Sequence, residues 1–166
     1  MKNECVESYL AGQHSKDKLE SLLKDSKDEL QNILVDLDLN ELAAKWHKNA
    51  CVFEYLVEDS TAGVIIFYAN DPKKSAAFIT LVVTYPDFRK KGIGASLLAA
   101  VKDYCRKNGF LKIKLETYSE KLMNWYEQND FYLTGKTTRL NSSTEMQLTY
   151  QMEYKVNHES EKKCHC

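Results

Sequence analysis

Apolar residues recur at three- and four-residue steps from Ser15 onward: Leu19, Leu22, Leu23, Leu30, Ile33 and Leu34, with Lys, Asp and Glu between them. That spacing predicts an amphipathic helix. The run DLDLN interrupts it, and Asn40 is placed to cap a short second helix with Leu42, Ala43 and Trp46 on one face. After Lys48 the period changes to two. Val52 to Glu58 reads as a strand with Phe53, Tyr55 and Val57 on one side, and STAG (Ser60 to Gly63) as a turn. Val64 to Tyr68 is apolar throughout, as in a strand buried on both faces. ANDPKK (Ala69 to Lys74) is a second turn, and Ala76 to Thr84 a third strand rich in β-branched residues. These three strands predict an antiparallel meander.

The second half repeats the alternation of periods. Gly92 to Asn108 predicts a helix with Ile93, Leu97, Leu98, Val101, Tyr104 and Cys105 in one stripe, ended by Gly109. Leu111 to Glu116 alternates as a strand, Ser119 to Gln128 has helical spacing, and Phe131 to Lys136 returns to a strand. Thr144 to Tyr154 alternates most regularly, Met146, Leu148, Tyr150, Met152 and Tyr154 against five polar positions. The order ααβββαβαββ predicts an α+β fold, with a mixed, mostly antiparallel central sheet flanked by helices and a parallel strand–helix–strand crossover in its middle. A single domain is expected over residues 1–156, with an N-terminal helical segment at 15–47 and a polar tail at 157–166.

Composition narrows the function classes. The chain has 166 residues and a formal net charge of −1, from 23 basic and 24 acidic residues. Duplex-binding proteins carry a basic excess, so nucleic acid is not the expected partner. With 43% hydrophobic residues the chain is not of the disordered class. No apolar run approaches a membrane span, and MKNECVESYLAGQ has charge where a signal peptide needs an apolar stretch. The five cysteines (5, 51, 105, 164 and 166) are odd in number and irregular in spacing, which reads as a reducing cytoplasm rather than a disulfide framework.

One stretch carries chemistry. FRKKGIGASLL (Phe88 to Leu98) sets three basic residues and two glycines at the start of a helix. The first N–H groups of a helix lack internal acceptors and stand at the positive end of its dipole. A glycine-rich turn lets an anion approach them without Cβ obstruction, so the segment suits a phosphate; it reads equally as a solvated turn. The G-x-x-x-x-G-K-[ST] and three-glycine dinucleotide motifs are both absent.

R-K-K-G-I-G (Arg89 to Gly94), after a β-branched strand and before an apolar helix, resembles the R/Q-x-x-G-x-G/A signature of the GNAT acetyltransferases. The similarity of segment order runs from about Val52 to Tyr154, and LMNWYEQNDFY resembles that family's late helix. The resemblance implies an acetyl-CoA-dependent N-acetyltransferase acting by direct attack of a primary amine in a ternary complex. It further implies that the backbone of Arg89, Lys90, Lys91, Gly92, Ile93, Gly94 and Ala95 holds the pyrophosphate of acetyl-CoA, the co-substrate. Leu81, Val82 and Val83 would pair with the pantetheine arm in a gap between two splayed parallel strands, and an N–H near Val82 or Val83 would polarise the thioester carbonyl. Tyr126 falls on the family tyrosine that protonates the leaving thiolate; its other reading is a core aromatic beside Trp125. Two positions depart from the family pattern: Ser119 stands for a frequent Asn, and Asp130-Phe131 for Gly-Phe. Asn129 and Asp130 both tolerate the positive φ such a turn needs.

The base that takes the amine proton has three candidates. Glu116 at the end of its strand is first, Glu54 second, and Tyr85 third. Glu116 also reads as an ordinary strand end, and Glu54 as solvent-facing. His14, His47 and His158 receive no role. Cys164-His165-Cys166 is an incomplete ligand set, so no metal is expected. The expected acceptor is a small-molecule amine, an amino sugar or amino acid derivative, with the N-terminal helices and Trp46 walling one side of the cleft. A protein N-terminus or lysine, and a CoA-binding module without transfer activity, are the competing readings. Members of the family often pair through their last strands, which makes a homodimer an expectation beside plain core packing of Thr144 to Tyr154.

Overall fold

The computed structural model describes residues 3–26, 38–140 and 145–158. Among these residues seven strands form one sheet, in the order β1-β2-β3-β4-β5-β7-β6. They are β1 (Glu4–Tyr9), β2 (Cys51–Val57), β3 (Ser60–Tyr68), β4 (Ala76–Thr84), β5 (Lys112–Thr117), β6 (Tyr132–Leu140) and β7 (Met146–Lys155). The helices among the described residues are α1 (Lys16–Asp25), α2 (Leu39–Asn49), α3 (Ile93–Lys107) and α4 (Glu120–Gln128), with a 3-10 turn at Pro86–Phe88. Only β4 and β5 run parallel, across α3; the other described neighbours are antiparallel. None of the helices among the described residues is long and apolar enough to cross a membrane.

The mixed, mostly antiparallel fold expected from the periodicity is present, with one more strand. β1 pairs along all of its length with β2. Its residues are mostly exposed at the sheet edge, so ECVESY shows no apolar alternation to mark it. The β2–β3 turn also differs from expectation. Glu58 (φ 50) and Asp59 (φ 67) are the two left-handed loop residues, and Ser60 already pairs with Val57, so STAG lies in the strand. Two left-handed residues match the twist of a two-residue hairpin, and Asp tolerates that conformation. Asp38, not Asn40, caps α2, its carboxylate accepting from the Asn40 N–H at 2.9 Å. The first predicted helix holds through Asp25; its continuation at Leu30, Ile33 and Leu34 lies outside the described residues, as do residues 159–166 with the terminal Cys-His-Cys.

Two cores cover the two faces of the sheet. α3 and α4 cover one, where Leu97, Leu98, Val101 and Tyr126 pack with Phe53, Ile65, Phe67, Ile79, Ile113, Leu115 and Met152. α1 and α2 cover the other, where Leu19, Leu22, Leu23, Ala43 and Trp46 pack with Val52, Val64, Ile66, Leu81 and Val83. The second core takes members from β2, β3 and β4 but none, among the described residues, from β5, β6 or β7. In β4, Ala77 and Ile79 belong to the first core, while Leu81 and Val83 belong to the second. Residues of one parity should share a face. A bulge reconciles the two: Ile66 pairs with Leu81 and Phe67 with Ile79, leaving Thr80 unpaired, and the extra residue turns the rest of the strand over.

Candidate active site

The bulge has a second consequence. β4 pairs with β5 only over Ala76–Ile79 and Lys112–Leu115. Beyond that point β4 stays paired to β3 as far as Thr84, and β5 stays paired to β7 through Thr117. The facing edges of Thr80–Thr84 and Glu116–Thr117 therefore share no ladder, and a gap opens between two parallel strands in the middle of the sheet. Leu81 and Val83 are buried under α1, while Val82 packs partly buried against the α3 core. Backbone groups of successive residues alternate between the two edges of a strand, so part of this segment's N–H and C=O groups face β3 and the rest face the gap.

That edge leads into the basic turn. Arg89 is extended and its Nε donates to the Thr84 carbonyl at 3.1 Å, pinning the turn to the strand end. Lys90 (φ 62) and Gly92 (φ 76) are both left-handed. Gly92 is the N-cap of α3 with no side chain capping the helix, so the N–H groups of Ile93, Gly94 and Ala95 have no helical acceptor. A Cβ at Gly92 would meet nothing within 4 Å. Arg89, Lys90, Lys91, Gly92 and Ala95 are exposed, and Ile93 is buried as the first apolar anchor of α3. Gly94 is bare for a different reason. A Cβ there would lie 3.0 Å from Cζ2 of Trp125, so the indole of α4 packs directly on the helix start. Periodicity places Trp125 on α4 but not this contact.

Tyr126 follows Trp125 on α4 and is buried, its ring edge-on to Trp125 at 4.9 Å and to Phe131 at 5.6 Å. Burial pushes its hydroxyl well above the ordinary tyrosine range, which keeps it protonated. Ser119 acts as the N-cap of α4, its hydroxyl accepting from the Leu122 N–H at 3.3 Å. Asp130 (φ 71) closes the helix in the left-handed conformation usual for glycine, with the Phe131 N–H returning to the Tyr126 carbonyl at 3.1 Å. Glu116 stands at the end of β5 beside the gap, and Arg139 of β6 donates from Nη2 to its Oε1 at 3.0 Å.

Glu54 is not solvent-facing as expected. It is 6% exposed, and its Oε1 lies 2.9 Å from Nε2 of His14, itself 4% exposed. The same imidazole sets Nδ1 against the Ser15 carbonyl at 3.1 Å. Both ring nitrogens thus lie within hydrogen-bonding distance of oxygen atoms. The hydrogen bond from His14 holds the Glu54 carboxyl below its usual range, against the opposing effect of burial. The pair borders a cavity of about 320 Å³ between α1 and the sheet, also lined by Lys18, Asp25, Val64 and Tyr85. Burial, with Asp25 and Glu54 nearby, raises the Tyr85 hydroxyl. This cavity lies on the β2–β3 side of β4, whereas the gap lies on the β5 side. The structure thus groups Glu116 with the gap and separates Glu54 and His14 from it. Trp46 is buried in the second core rather than facing a cleft.

Comparison with known proteins agrees with this fold. Ard1 from Thermoplasma volcanium superposes with a TM-score of 0.71 at 21% identity, over 93% of this chain and 98% of its own. The ribosomal-protein-S18-alanine N-acetyltransferase from Escherichia coli gives 0.69 at 17%, over 93% and 95%. A GNAT family acetyltransferase from Elizabethkingia anophelis, crystallised with acetyl-CoA bound, gives 0.66 at 16%, over 93% and 99%. At these identities the likeness is one of fold. A search of curated proteins finds no significant match. The sequence itself matches the acetyltransferase (GNAT) family over residues 17–131, and the chain belongs to that family.

Proposed function

We propose that this protein is an acetyl-CoA-dependent N-acetyltransferase that acetylates the primary amine of a small molecule by direct attack in a ternary complex. One observation carries the reading. The open edge of β4 at Leu81–Val83 runs straight into an uncapped, basic helix start at Arg89–Ala95. A pantetheine arm is a chain of amides that pairs with a strand edge, and a pyrophosphate needs N–H donors and positive charge. The gap supplies the first need and the turn the second, in continuous sequence. Three solved structures of this fold hold acetyl-CoA, which supports the same assignment.

In this reading an N–H near Val82 or Val83 polarises the thioester carbonyl. The amine nitrogen attacks that carbon, the C–S bond breaks, and Tyr126 gives its proton to the departing sulfur. Glu116 takes the proton that the amine loses, directly or through one water. A tyrosine kept protonated by burial and a carboxylate at the rim of the gap suit those two tasks.

The test is thermal unfolding with acetyl-CoA, free CoA and ATP, on the wild-type chain and on Gly92→Glu. A ligand at a hundred times its Kd stabilises the folded state by about 2.7 kcal/mol. For a chain of this length that raises Tm by roughly 5–10 °C. The reading expects the rise with acetyl-CoA and CoA and its loss in Gly92→Glu. No rise at millimolar acetyl-CoA would leave the fold without the function.

A further inference from the structure

We propose that the acceptor is an α-amino acid or a close derivative that keeps its carboxylate, and that Arg139 is the residue that selects it. This rests on the reading of Glu116 as the group that meets the acceptor amine. Glu116 pairs with Gln151 of β7, whereas Arg139 pairs with Gln147, four residues further along the same strand and on its other side. Arg139 nevertheless reaches Glu116 at 3.0 Å. The β6–β7 hairpin must therefore coil over the sheet face that carries Glu116, at the end of β5 beside the gap.

Polar groups occupy that coil. Gln151 donates from Nε2 to Thr137 Oγ1 at 2.8 Å. Thr149 pairs with Thr137, is fully buried, and its Oγ1 has no hydrogen-bond partner. An unsatisfied buried hydroxyl is uncommon and costly unless something else completes it. By register Thr149 stands on the face of Gln147 and Gln151, between the partners of Arg139 and Glu116. The second core, formed under α1 and α2, takes no described residue from this part of the sheet. A polar strip thus runs from the gap along the hairpin, with an ion pair across it and an unused hydroxyl within it.

The ion pair defines the ligand. Arg139 occupies the carboxylate oxygen that an incoming ammonium would use. A plain amine that displaced it would leave the guanidinium without its partner. A ligand with both ammonium and carboxylate exchanges both halves at once: the ammonium meets Glu116, and the carboxylate meets the planar fork of Arg139, which suits two oxygens. The side chains of Glu116 and Arg139 are 24% and 55% exposed, so the pair is open to exchange.

The experiment measures acetylation of matched α-amino acids and their amides by the full chain, with Arg139→Gln and Arg139→Lys as variants. The amide's amine is the less basic, so it is intrinsically the more available at neutral pH. A preference for the acid must then come from binding its carboxylate. The expected result is an acid-over-amide ratio of kcat/KM that falls by about tenfold in Arg139→Gln, mostly through KM, as for one lost charge-assisted contact in a part-exposed site. Arg139→Lys recovers part of it, and both variants are still stabilised by acetyl-CoA. An equal ratio in wild type and Arg139→Gln overturns the proposal, as does a wild type that favours amides. If acetyl-CoA raises Tm but no amino acid is acetylated, this inference falls and the acetyl-CoA reading stands. If acetyl-CoA does not raise Tm, both fall together.

Discussion

Tyr126 sits in an environment that packs its ring and also suits the acid role proposed for it. Its ring is held by Trp125 and Phe131, and the same burial keeps its hydroxyl protonated. Tyr126→Phe keeps the ring and removes only the oxygen. It is expected to lower kcat by ~100-fold, the lower range for loss of a general acid, while stability changes by less than about 1 kcal/mol. Steady-state kinetics beside urea unfolding checks both; an unchanged kcat would assign the proton to another donor. Among the glycines, Gly63 and Gly94 are required by neighbours, not by φ. A Cβ on Gly63 would lie 2.9 Å from Ile93 and 3.0 Å from the Val83 carbonyl, so β3 and the start of α3 meet through a bare backbone. Neither contact is written in local sequence, because each partner lies twenty or more positions away.

The end of α4 carries a local rule broken and tolerated. Asp130 holds a left-handed conformation that costs a non-glycine residue about 1–2 kcal/mol. Its ion pair with Lys102 is long, 3.9 Å, and its own side chain is 83% exposed, so that contact offsets little. Lys102 is held chiefly by the Asn129 carbonyl at 2.6 Å and by the Tyr154 ring at 4.4 Å. Asp130→Gly is therefore expected to stabilise the protein by about 0.5–1 kcal/mol, after the greater chain entropy of glycine in the unfolded state is set against the relieved strain. A raised urea midpoint at unchanged slope would show it; a lowered one would mean that the aspartate does more than close the helix. Ser119 makes a similar point. Where the family pattern has a frequent Asn, it caps α4, which gives it a role before any contact with a cofactor.

For the molecule as a whole, the buried His14–Glu54 pair couples folding to pH. His14 lowers the folded pKa of Glu54 below its ordinary 4.5. A depressed carboxyl contributes stability that is present above the unfolded pKa and is lost as pH falls through the folded one. Unfolding free energy should therefore decline below about pH 4.5 in wild type. Asp71 and Asp103 are also lowered and act in the same direction, so the decline is shared. Glu54→Gln removes the carboxylate that His14 hydrogen-bonds, and it should be less stable near neutrality by about 1–3 kcal/mol, as for a buried polar group that loses its partner. The gap between the two proteins should close as pH falls. A gap that stays constant down to acid pH would show that the two side chains contribute by packing and not by charge.

The periodicity of apolar positions was enough to read the meander, the crossover helix, the late helix and the last strands, because amphipathic elements write their buried faces into local sequence. The basic glycine turn was legible for the same reason: a helix start with free N–H groups is a local object. β1 was not legible, since an exposed edge strand buries too little to alternate. The bulge at Thr80 was not either, because β4 is apolar on both faces and its parity is visible only against β3. That bulge turns Leu81 and Val83 under α1, and it lies where β4 parts from β5. The pairing of Glu116 with Arg139, and of Glu54 with His14, joins residues 23 and 40 positions apart. Such contacts arise from strand register and hairpin coil, which are settled only when the whole sheet closes around its two cores.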